Sequence, residues 1–283
     1  MAIKQMNTLS LADLHELMLP RPADGHKGTF GHALIIAGQY GMAGAAVLAT
    51  RACLRSGVGK ATLHTPLRNN DIVQISVPEA IVHHDADEHG FSTPVDLTPY
   101  DALAIGPGLG TDAATIEAVG QQLAAAKAIG MKCVVDADAL NAIALVPELL
   151  EALPAESILT PHPAEYKRMA GDEAPEVFAS KHNAYLVLKG HPTRVFTPEG
   201  SRYECPWGNC GMGTAGSGDV LTGIIAGLLA QHHSPLAAAL LGVSLHALAG
   251  DAAAEALGEH SLIASDITAH LPAAFRQITE IKQ

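Results

Sequence analysis

Aromatic side chains are scarce in this chain, at 4% of its residues with a single tryptophan. That scarcity speaks against an aromatic-rich β sandwich, while plentiful alanine and 27 glycines favour helices packed closely on a sheet. Cationic clusters are missing too: 17 Lys and Arg stand against 29 Asp and Glu, for a net charge of −12. With no basic face, neither nucleic acid nor an anionic membrane surface is an expected partner; a small molecule is. No uninterrupted apolar run approaches the ~18 residues of a membrane span. The four cysteines, Cys53, Cys133, Cys205 and Cys210, follow no regular spacing, and Met1 to Asn7 lead into no apolar signal region. A cytoplasmic protein with free thiols is therefore expected. Missing as well are H-E-x-x-H, zinc-type ligand spacing and a Gly-x-Ser-x-Gly elbow, which argues against a metalloprotease, a structural zinc and a serine hydrolase.

What is present is an alternation of strand and helix patterns. A short amphipathic helix over Ser10 to Met18 ends before Pro20 and Pro22, and the loop Gly25 to Gly31 leads to a strand over His32 to Ala37. A helix over Met42 to Ser56 follows, then a strand over Lys60 to Thr65, with Pro66 placed to open a short helix. Further strands are predicted over Ala80 to His83, Ala102 to Ile105, Lys132 to Asp136, Ser157 to Thr160 and Tyr185 to Lys189. Between them lie helices over Asp112 to Ala128, in pieces from Asp138 to Leu153, and over Pro163 to Met169. Such alternation predicts an α/β fold with a largely parallel sheet covered on both faces. Thr193 to Thr197 and Arg202 to Cys205 read as a hairpin at the sheet edge, and the last third as helices over Ser217 to Gln231, Pro235 to Leu257 and Ile267 to Ile281, with Ser265 as N-cap. Length permits one or two domains; without a composition break, a single domain over residues 1–283 is the simpler expectation. His83-His84 and His232-His233 are expected at the surface.

The run Asn209 to Gly223 carries the strongest functional signal. Gly211, Gly213, Gly216 and Gly218 fall within eight positions ahead of an apolar helix, so successive N–H groups can point into one anion cradle at a helix start. Ser217 as a cap and Asp219 as a dipole partner would explain those two residues alone, but not four glycines. The match of Gly211 to Gly216 to G-x-G-x-x-G lies too late for a dinucleotide fold, and Gly59-Lys60 lacks the rest of a P-loop.

Other candidates sit at predicted strand ends, where α/β sheets bind ligands. Gly106 to Gly110 is a glycine-rich strand-to-helix turn that could equally be only a rigid connection. Asp136 and Asp138 offer two carboxylates, one of which could hold substrate or metal-bound water, although Asp138 could be a mere N-cap. Thr160 to Glu165 has Pro163 and Glu165 suited to a first helical turn; His162 either contacts substrate or simply hydrogen-bonds. Lys189 to Thr193 supplies a cation and a turn fit for nucleotide phosphate, or for solvent.

Taken in order, Lys27 to Gly31, Gly41 to Ala46, Gly106 to Gly110, Asp136 to Asn141, Thr160 to Glu165, Lys189 to Thr193 and Gly211 to Asp219 resemble the ADP/ATP-dependent NAD(P)H-hydrate dehydratases over nearly the whole chain. The resemblance implies a ribokinase-like architecture, a stand-alone dehydratase without an amino-terminal epimerase domain, and repair of hydrated NADH or NADPH. ADP or ATP phosphorylates the ring hydroxyl and phosphate then leaves, with ADP the favoured donor and Mg²⁺ as cofactor. It implies Asp219 as the base, N–H groups of Ala215, Gly216, Ser217 and Gly218 as the anion hole, and Lys189, Gly190, His191, Pro192, Thr193 and Gly218 as nucleotide contacts. Ala45, Gly108, His162 and Asp219 would contact the hydrated dinucleotide, with Asn141 and Glu165 near magnesium-bound water. A homo-oligomer, with a tetramer as one form, is implied too. Two rivals stay open: a ribokinase-like kinase for a small hydroxylated metabolite or vitamin precursor, and a noncatalytic nucleotide sensor.

Overall fold

The strand over Ala102–Ile105 shows how the sheet is dressed. Ala102 and Ala104 belong to the core under one layer of helices, and Leu103 and Ile105 to the core under the other. A strand buried on both faces reads as a continuous apolar run, and here the small residues of one face let helices approach closely. A computed structural model describes residues 5–280. Its strands are β1 (Met6–Thr8), β2 (His32–Ile36), β3 (Lys60–Thr65), β4 (Ile81–His84), β5 (Ala102–Ile105), β6 (Lys132–Val135), β7 (Ile158–Leu159), β8 (Tyr185–Leu188), β9 (Thr193–Phe196) and β10 (Arg202–Cys205). They form one ten-stranded sheet in the order β1-β10-β9-β8-β7-β6-β5-β2-β3-β4. All pairings are parallel except those of β9 with β8 and with β10.

One face carries α1 (Leu11–Leu17), α2 (Ala43–Arg55), α8 (Ser217–Ala230), α9 (Pro235–Leu257) and α10 (Ala264–Thr279). The other carries α4 (Ala113–Ala128), α5 (Ala137–Leu145), α6 (Pro163–Ala170) and α7 (Pro175–Lys181), while α3 (Asn70–Ser76) packs beside β4. By length and composition α9 could cross a membrane, yet it is a core helix, 78% buried over its most apolar window. The chain runs outward from β2 to β4, returns to β5 beside β2, and then proceeds the other way. Loops leaving β2 and β5 thus diverge at a switch point, where an open α/β sheet forms a ligand crevice.

The α/β alternation and the hairpin appear as expected, with four differences of detail. The hairpin does not end the sheet, because β1 runs parallel to β10 outside it. Helix α7, opened by Pro175, has no counterpart in the expectation. Ser265 is not the cap of α10: Ile263 holds that position, and its N–H donates to Asp266 Oδ2 at 2.9 Å. The expected last residue of that helix, Ile281, lies outside the described residues. His83, His84 and His232 are exposed, but His233 is buried, its Nδ1 donating to the Leu228 carbonyl at 3.1 Å.

Candidate active site

Gly216 takes a left-handed φ of +89° and occupies the N-cap position of α8, so Ser217 is the first helical residue and not the cap. Ser217 N–H turns back to the Thr214 carbonyl at 3.3 Å. The N–H groups of Ala215, Gly216 and Gly218 have no backbone acceptor among the described residues outside regular structure. An anion at this helix start would meet them together with the positive end of the dipole. From α9, His246 faces the Ser217 carbonyl and hydroxyl through Nε2, at 2.9 and 3.2 Å. Burial, helped by the charge of Lys189, drives the His246 imidazole down to about 4. It is therefore neutral at pH 7 and donates to the carbonyl.

Beneath this turn lies a buried charge network. Asp136 ends β6, and one carboxylate oxygen is 2.8 Å from Lys189 Nζ while the other accepts the Thr222 hydroxyl at 2.7 Å. Lys189, at the end of β8, also lies 3.6 Å from Glu165 Oε2, which accepts the His162 N–H at 2.7 Å. Burial opposes the charge on Lys189, but the carboxylates of Asp136 and Glu165 outweigh it and raise its proton affinity. Gly218 permits the approach, since a Cβ there would lie 3.2 Å from Lys189 Nζ.

Asp219 sits above this network in the first turn of α8. Burial, with the negative charges of Asp136, Asp138 and Glu165 and against the pull of Lys189, pushes its carboxyl up to about 7. Such a carboxylate is poised to take a proton near neutrality.

A cavity of about 600 Å³ lies against this turn, lined by His162, Lys189, His191, Trp207, Met212 and Gly218 among others, a size suited to a nucleotide. At the switch-point crevice, Gly38 and Gln39 N–H donate to the Pro107 and Gly108 carbonyls at 2.8 and 2.6 Å. There a Cβ on Gly108 would lie 3.0 Å from that of Ala45. Asp138 ties the crevice to the network by accepting Gly110 N–H at 2.8 Å. A larger hollow of about 750 Å³, lined by Arg21, Phe30, Gln231 and Phe275 among others, contains none of the candidate residues.

The family model described as NAD(P)H-hydrate dehydratase matches residues 33–273. The chain belongs to the NAD(P)H-hydrate dehydratase family. It is 39% identical over 281 residues to the bifunctional NAD(P)H-hydrate repair enzyme of Moorella thermoacetica, covering 92% of this chain and 52% of that one. To the ADP-dependent (S)-NAD(P)H-hydrate dehydratase of Bacillus subtilis it is 33% identical, covering 91% and 93%. The chain thus spans about half the length of the bifunctional relatives it matches, and nearly all of the single-activity one. A crystal structure of the ADP/ATP-dependent dehydratase of Bacillus subtilis, co-crystallised with ATP and Mg²⁺, superposes with a TM-score of 0.81 at 28% identity, covering 96% and 99%. A ribokinase-like superfamily protein from Enterococcus faecalis gives 0.85 at 30% identity, covering 97% of each chain.

In this member of the dehydratase family, His162, Lys189, Gly190, His191, Thr193, Ser217 and Gly218 line the nucleotide-sized cavity. Pro192 follows His191 through a cis peptide bond. Ala45 and Gly108 lie together in the crevice. His162 caps α6, its Nδ1 accepting from Ala164 and Glu165 N–H at 3.1 and 3.3 Å, while its Nε2 lies 3.5 Å from Glu165 Oε1. Asp138 is not an N-cap; Asp136 holds that position in α5. Asn141 has both amide ends engaged, by Asp138 Oδ1 at 3.1 Å and Arg168 at 2.9 Å. Among the described residues no cluster of three or more His, Cys, Asp or Glu could hold a metal. Thr222, His246 and Trp207 were not among the expected site residues.

Proposed function

We propose that this protein dehydrates hydrated NADH or NADPH at the expense of ADP or ATP. The observation that carries the reading is Asp219, a carboxylate with raised proton affinity that directly follows Gly218 of the cavity wall, on the turn whose N–H groups lack backbone acceptors.

With nucleotide in the cavity and the hydrated nicotinamide ring in the crevice, Asp219 takes the proton of the ring hydroxyl. The hydroxyl oxygen bonds to the terminal phosphorus as the bond to the nucleotide breaks. Amides of Ala215, Gly216 and Gly218 and the Lys189 ammonium offset charge on the transferring group. Phosphate then leaves with the C–O bonding pair, and loss of a proton from the neighbouring carbon restores the double bond. Phosphorylation turns hydroxide into a competent leaving group, so kinase-like equipment serves a lyase. Magnesium, when bound, would neutralise phosphate charge, with Glu165 and Asn141 as the side chains that would hold its waters.

ADP as the preferred donor follows the name of the relative that matches this chain over nearly its full length. A cytoplasmic setting fits four free thiols, three of them buried. Homo-oligomeric assembly fits the exposed Ile72, Ile75 and Ile81 on α3 and the edge strand β4.

Incubation with hydrated NADH, Mg²⁺ and either ADP or ATP tests the reading. Recovery of dihydronicotinamide absorbance with release of phosphate is expected. Accumulation of a phosphorylated compound would instead make it a kinase, and nucleotide binding without conversion a sensor.

A further inference from the structure

The ion pair beneath α8 does more than complete a cavity wall. Thr222, whose hydroxyl bonds Asp136, stands three residues after Asp219, so Asp136 holds the same stretch of helix that presents the base. Through the gap left by Gly218, the Lys189 ammonium rises to the underside of that turn, near enough for its charge to act on Asp219. Yet its partners are Asp136 at 2.8 Å and Glu165 at 3.6 Å. An uncommitted ammonium here would pair with Asp219, and a carboxylate beside a free cation loses about 1–3 pKa units of basicity.

We infer that Asp136 is a positioning residue: its carboxylate holds the Lys189 ammonium below α8, on the nucleotide side, and so leaves Asp219 free to accept the substrate proton. The inference rests on the reading of Asp219 as the base. The charged and titratable groups around Asp219 come from four neighbouring segments: Asp136 and Asp138 at β6 and α5, Glu165 on α6, Lys189 after β8, and neutral His246 on α9. Two of these carboxylates, Asp136 and Glu165, lie within ion-pair reach of the cation, and the buried Asp136 is bound to it more closely.

The test follows the Asp219 carboxyl carbon by ¹³C NMR in the nucleotide-free protein, its signal assigned by its loss in Asp219→Asn. In Asp136→Asn, which removes a neighbouring negative charge and also releases Lys189, the titration midpoint is expected to fall by about 1 pH unit or more. The acid limb of kcat/KM should move with it. In Asp136→Asn/Lys189→Met, which removes the cation as well, the midpoint should return towards the wild-type value. A folded Asp136→Asn protein with midpoint and acid limb unmoved would overturn the inference. A second measurement needs no variant: in the wild type the ¹⁵N signal of Lys189 Nζ should move only slightly while Asp219 titrates, as expected of a cation that keeps Asp136 as its partner. A large displacement with the same midpoint, as when the ammonium changes partner to Asp219, would refute the inference. A wild-type midpoint near 4, or unimpaired turnover in Asp219→Asn, would instead remove the base itself.

Discussion

Gly223 of α8 lies so close to Ala49 of α2 that a Cβ on the glycine would stand 2.0 Å from the Ala49 carbonyl oxygen. The two helices meet through backbone, and this fixes how Asp219 on α8 sits relative to Ala45 on α2. Gly223→Ala forces them apart and should destabilise the protein by about 1–3 kcal/mol in urea unfolding, with a loss of turnover beyond what unfolding explains. Gly44, in the first turn of α2, has nothing within 4 Å of its virtual Cβ. Gly44→Ala should leave stability unchanged or raise it by up to about 1 kcal/mol.

Lys189 neutralises a carboxylate that is 1% exposed. Removing one member of a buried pair leaves an uncompensated charge, so Lys189→Met should cost about 3–5 kcal/mol. Asp136→Asn/Lys189→Met should recover much of that in the same denaturant titration.

Trp207 is the chain's one tryptophan and lines the nucleotide-sized cavity. Adding ADP or ATP should change its emission saturably. Trp207→Leu should abolish the signal and weaken nucleotide binding while leaving the far-ultraviolet dichroism intact.

The raised proton affinity of Asp219 gives activity and stability opposite slopes with pH. As a base it acts only when ionised, so kcat/KM should rise with pH through about 7 and be lost below it. For stability, the native state holds a proton that the unfolded chain, with its ordinary value of 3.8, has released. Across the interval between those values the native state binds more protons, and stability falls as pH rises. Asp219→Asn should therefore melt higher than wild type at pH 8, the gap shrinking as pH falls towards 4.

Strand β5 and the glycine run before α8 were legible because their signals are local: an apolar strand followed by Gly-Pro-Gly, and glycines ahead of an apolar helix. β1 was not, since three residues make a strand only when β10 lies alongside. Ser265 looked like a cap because it precedes a helical pattern, but Asp266 reaches back to Ile263 and starts the helix earlier. A cap was one of two readings of Asp138, and the chain has already turned at Asp136. Asp136 was visible as a carboxylate, yet its partners were not. Thr222 lies 86 residues away and Lys189 lies 53 away, and only the parallel sheet brings the three together. His246 sits inside α9, where an apolar neighbourhood gives no sign that its ring meets the start of α8.

The central claim is that Asp219 accepts the proton as the terminal phosphoryl group arrives. Single-turnover kinetics of Asp219→Asn with hydrated NADH, Mg²⁺ and ADP test it most directly. Both ligands should still bind while the chemical step slows by about 10²–10⁴-fold. A rate within a few-fold of wild type at saturating ligands would contradict it.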